Sequence, residues 1–112
     1  MELSLAVLRI ARGLPRDVIG RHVMTQLVRC ASGSGANYGE ARRAESRADF
    51  AHKAGVAAKE MGETLYWLQV IHELPLLRSE DLPRLMREAD ELAAILVASA
   101  RTARANAERE AR

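Results

Sequence analysis

Gln26, Asn37 and Glu40 are the side chains whose types and spacing suggest chemistry, with Arg29 beside them as a cation. Gln26, Asn37 and Glu40 share one face of a helical run. A bundle helix would carry Leu or Ala at such positions, and inward polar groups are costly unless partnered. Two uses are open. One is an interior polar network of Gln26, Arg29, Asn37 and Glu40, with Glu40 accepting from an arginine such as Arg29 or from another subunit. The other is a small-ligand site built on Asn37 and Glu40.

Other chemistries lack their residues. A di-iron bundle needs Glu-x-x-His on each of two helices plus two further Glu. Only Asp49-x-x-His52 has that spacing, and His22 and His72 have no partner at ligand spacing. No metal and no cofactor is expected. Cys30 falls on the inward stripe and reads as a small buried apolar side chain, not an exposed activated thiol. A single cysteine excludes an internal disulfide. No phosphate-binding loop and no Ser-x-x-Lys occurs. The chain is expected not to be an enzyme.

Charge points to a different function. Residues 1–47 hold eight Arg against four acids, whereas residues 48–112 hold nine basic and eleven acidic groups. Arg42, Arg43 and Arg47 cluster at one junction and could contact RNA or DNA phosphates. A solvated basic face explains the same residues. Trp67 beside Tyr66 suits core or subunit packing, since aromatics are too scarce for a base-stacking surface. No apolar run reaches the length of a membrane span and nothing resembles a leader peptide, so a cytoplasmic protein is expected.

The elements that must hold these residues are helices. Their number is four, in an all-α, antiparallel up-down-up-down bundle forming one domain over residues 1–112. Helix 1 covers about residues 3–13, with Leu3, Val7, Ile10 and Leu14 as its stripe and Gly13 and Pro15 as its stop. Helix 2 covers about residues 16–43, with Ile19, Val23, Gln26, Cys30, Gly33, Asn37, Glu40 and Ala44 as its seam. The seam keeps phase through Ser32-Gly33-Ser34-Gly35, which favours one continuous helix over two split near Gly33. Helix 3 covers about residues 47–73, capped by Ser46. Helix 4 covers about residues 80–105, and the residues after it should fray. Leu5, Leu8, Leu27, Leu65, Trp67, Leu76, Leu77, Ile95 and Val97 exceed what one seam needs, which suggests subunit contacts.

One resemblance follows from the ordered residues. Gln26-x-x-Arg29, Ala36-Asn37-x-x-Glu40, Ser46-x-x-x-Phe50 and Lys59-Glu60-x-x-Glu63-Thr64-x-Tyr66-Trp67-Leu68 resemble the four-helix-bundle proteins encoded in intervening sequences of bacterial 23S rRNA genes. The likeness spans about residues 5–104. It implies the same fold, a homo-oligomer with the pentamer as the expected state, and no known catalytic residues. A distant likeness to the basic accessory pentamer of diversity-generating retroelements implies an alternative role, a ring that serves a reverse transcriptase and binds nucleic acid.

Overall fold

Helix α1 (Glu2–Arg12) forms where apolar residues return every three or four positions, and its stripe of Val7 and Ile10 is buried. Leu14 continues that stripe beyond the helix end. The computed structural model describes residues 2–112. Helix α2 (Val18–Arg42) starts at Asp17, whose Oδ1 accepts from the Gly20 N–H at 2.8 Å. It is unbroken through Ser32-Gly33-Ser34-Gly35. The small residues earn that continuity on two sides: the buried Ser34 hydroxyl donates to the Ala57 carbonyl of the next helix at 3.1 Å, and Gly35 lies against Ser4 of α1.

The predicted seam of α2 is corrected by about one residue. Gly20, Val23, Leu27, Cys30, Ala31, Ser34 and Ala41 face the core, while Ile19 and Glu40 are exposed. Packing against α1 as well as the following helix turns the core face toward Leu27. Leu27 was expected to be spare surface, yet it is fully buried.

Helix α3 (Arg47–Glu73) is capped by Ser46, which accepts from the Asp49 N–H at 3.0 Å. The expected seam is Phe50, Ala54, Ala57, Met61, Thr64, Leu68 and Ile71; all are buried except Phe50, which is half-buried. Helix α4 (Leu82–Glu110) begins two residues later than the expected start, with Pro83 in its first turn. It also continues past the expected end near residue 105. An Arg47–Glu110 ion pair at 2.5 Å ties its last turn to the start of α3, and Ala103 is buried beneath.

Successive helices pack on one another and α1 closes onto α4, giving a four-helix bundle in a rod of 54 × 21 × 19 Å. Among the described residues there is no strand. No described helix is long and apolar enough to cross a membrane. The helices are unequal: α1 has 11 residues, the others 25, 27 and 29. At 1.5 Å per residue α1 is about 16 Å long against about 40 Å for its neighbours. Near Gly35 it runs out, and α2, α3 and α4 continue without it.

Candidate functional site

The polar residues of α2 form a ladder with α3. Gln26 Oε1 accepts from Arg29 Nη2 at 3.2 Å, and the same Nη2 meets Glu63 Oε2 at 2.6 Å. Asn37 Nδ2 donates to the Gly33 carbonyl at 2.9 Å and to Glu60 Oε1 at 3.2 Å. Glu40 Oε2 lies 4.0 Å from Lys53 Nζ, which also pairs with Asp49 at 3.4 Å. The antiparallel course of α2 and α3 sets this order, Arg29 opposite Glu63, Asn37 opposite Glu60, Glu40 opposite Lys53.

This corrects the expected interior network. The ladder runs along the wet edge of the α2–α3 contact, with the Arg29 side chain 53% and that of Glu40 56% exposed. Glu40 does not meet Arg29, because eleven residues of helix, about 16 Å, separate them. Exposed ion pairs of this kind contribute about 0–1 kcal/mol each. Sequence reasoning missed the partners Lys53, Glu60 and Glu63 as a set. Their spacing of seven and three on α3 was the available signal.

Glu60 is a half-buried member of the ladder. A Cβ on Gly33 would overlap its carboxylate, so the glycine provides the space it occupies. Burial pushes the Glu60 carboxyl up from its ordinary range, and Glu63 adds to this, while Arg29 and Lys59 oppose it. Cys30 is fully buried; its thiol donates to the Leu27 carbonyl at 3.6 Å and the Thr64 hydroxyl lies 3.3 Å from its sulfur. Burial is also the main cause that pushes the thiol up, which disfavours the nucleophilic thiolate. Among the described residues every buried side-chain polar atom has a partner, and no group of three His, Cys, Asp or Glu could hold a metal ion.

The three arginines of the expected nucleic-acid contact divide. Arg42 and Arg43 are exposed and have no carboxylate within ion-pair distance, whereas Arg47 is held by Glu110. Trp67 is half-buried, edge-on to His22 at 5.6 Å and to Tyr66 at 4.9 Å between ring centres.

A second feature lies where α1 ends. Leu3, Leu5 and Leu8 of α1, Ala36 of α2, and Leu92 and Leu96 of α4 line a groove of about 530 Å³. Arg42, Arg43 and Tyr38 stand at its α2 side. Leu5 is 42% and Tyr38 44% exposed there. The arrangement suits adhesion rather than reaction: an apolar trough bordered by two unpaired cations, lined by none of the polar ladder residues.

Comparison with known proteins agrees with this architecture. The chain is similar to a crystal structure of a protein of unknown function from the S23 ribosomal protein family of Bacteroides thetaiotaomicron. The two share 28% sequence identity with a TM-score of 0.76, over 87% of this chain and 90% of the other. No curated protein matches the chain. The family model described as 23S rRNA-intervening sequence protein matches residues 1–98, nearly the whole bundle, and the chain belongs to that family.

Proposed function

We propose that this protein is a non-enzymatic, cytoplasmic homo-oligomer, assembled as a ring of five, that acts by presenting a surface rather than by catalysing a reaction. The observation that supports this is the apolar surface left open around the end of α1: a groove of about 530 Å³ with Leu5 beside it, and Ile95 and Val97 exposed on α4. Exposed apolar area of this kind marks interaction sites on small soluble domains. The polar ladder is consistent with a structural role, since its members satisfy one another. Light scattering on a sizing column tests the reading. The expected mass is about five times that of one chain; a single-chain mass at micromolar concentration would overturn it.

A nucleic-acid role is the second reading, favoured by the unpaired Arg42 and Arg43. In a ring these arginines recur in every subunit, so weak phosphate contacts multiply. Arg47 contributes once it releases Glu110. Anisotropy titrations with structured RNA should show binding that weakens steeply with salt and is lost when Arg42, Arg43 and Arg47 become Ala. Binding that ignores all three would remove this reading. The alternative of a small-ligand site on Asn37 and Glu40 has less support, because the Asn37 amide is already committed to Gly33 and Glu60.

A further inference from the structure

From Leu92 to Ala100, helix α4 carries no charged residue. A helix that is apolar on every side is ordinarily covered on every side. Here Leu92 and Leu96 line the groove and Ala100 is buried, yet Ala94, Ile95, Val97 and Ala98 are exposed, Ile95 by 59%. Just before this strip stand Asp90 and Glu91, exposed and without a cation in ion-pair distance.

The groove has the opposite charge at its end. Arg42 and Arg43 are unpaired there, and apolar residues of α1 and α2 follow. The two features also match in length. Glu91 and Ala98 are seven residues apart, as are Gly35 and Arg42, and each interval spans about 10 Å of helix. The strip has Asp90 and Glu91 at one end and the exposed, unpaired Arg101 at the other, and its acidic end complements the Arg42 and Arg43 end of the groove.

We propose that the outer strip of α4 in one copy, from Asp90 and Glu91 to Ile95 and Ala98, seats in the groove of the next copy, with its two carboxylates against Arg42 and Arg43. A small amphiphile in the groove would leave the α4 strip uncovered; a second copy covers both surfaces at once. Strip and groove are different patches, so the contact is head-to-tail and closes into a ring by rotation instead of stopping at a two-fold dimer. This inference rests on the oligomeric reading above and adds which faces meet.

The experiment uses two charge reversals of the full chain, Arg42→Glu with Arg43→Glu, and Asp90→Lys with Glu91→Lys. All four residues are exposed and unpaired, so both variants should keep the wild-type helical circular dichroism. Each alone should run as a monomer, with an assembly constant at least tenfold weaker than wild type. Mixed in equal amounts they should assemble again beyond a dimer, with the two variants alternating. The native strip of the first variant fits the native groove of the second, and the reversed strip of the second fits the reversed groove of the first, so every contact between unlike chains is restored. A chain with all four reversals should assemble again. If wild type is oligomeric and both variants remain fully assembled, the faces are wrong while the oligomeric reading stands. If the mixture stays monomeric, the two patches do not meet each other. A wild type that is itself monomeric overturns both proposals.

Discussion

Glu60 shows how one residue carries a cost that its neighbours accommodate. Its carboxyl is pushed up mainly by burial, so folding disfavours its ionised form relative to the unfolded chain. A raised carboxyl contributes stability fully below its unfolded value and loses that contribution as pH rises through the folded one. Wild-type protein should therefore lose stability from this group as pH rises from the ordinary glutamate value, about 4.3, through the raised folded one. Glu60→Gln keeps an oxygen for the Asn37 amide but cannot ionise. Its melting temperature should exceed wild type at pH 7 and match it below about pH 4, where both forms are neutral. An equal difference at every pH would show that ionisation is not the cause. Gly33 is coupled to the same group. Gly33→Ala should stabilise by about 1 kcal/mol in a Glu60→Ala background and by less in wild type, where the methyl must displace the carboxylate. Denaturant titration of the four chains measures the coupling directly. At Cys30, burial and a raised thiol predict negligible reaction with a thiol reagent until denaturant is added.

Among the elements, glycines at different contacts should respond with opposite sign. A Cβ on Gly20 would overlap the Pro15 carbonyl, which is backbone and cannot swing away. Gly20→Ala should cost about 1–3 kcal/mol, as overpacking does. Gly62 on α3 has open space, with nothing within 4 Å of a built Cβ, and Gly62→Ala should gain about 1 kcal/mol from helix propensity. Equal effects at the two sites would refute the close approach of α2 to the α1–α2 turn. The same contacts explain what was legible in the sequence. The seam of α3 could be read directly, because Ala54, Met61, Leu68 and Ile71 keep an unbroken apolar rhythm. On α2, Val23 and Cys30 belong to both candidate stripes, and the Gly-Ser stretch gives little hydrophobicity to choose between them. The true stripe through Leu27 and Ser34 depends on where α1 and α3 lie, which is a tertiary fact. The polar residues of the candidate site were therefore visible as a face, but not the partners or the water that meet them. The extra turn at the end of α4 meets Arg47, more than sixty residues away in the chain, a contact that no local pattern announces.

For the whole molecule, burial on assembly makes stability a function of concentration. If the groove and the α4 strip are covered in the oligomer, the unfolding midpoint should rise across a hundredfold increase in protein concentration. A midpoint independent of concentration over that range would count against assembly as the source of stability. The short first helix has a kinetic consequence as well. Contacts run mainly between helices adjacent in the chain, and among the described residues α1 with α4 is the only distant helix pairing. Such a topology folds fast, since little loop entropy is spent before contacts form. The three long helices can form their shared core before α1 closes onto them. Hydrogen exchange should then show the amides of α1 opening together at a lower free energy than those around Leu68 and Leu85, so that the rod has a detachable first helix and a cooperative remainder.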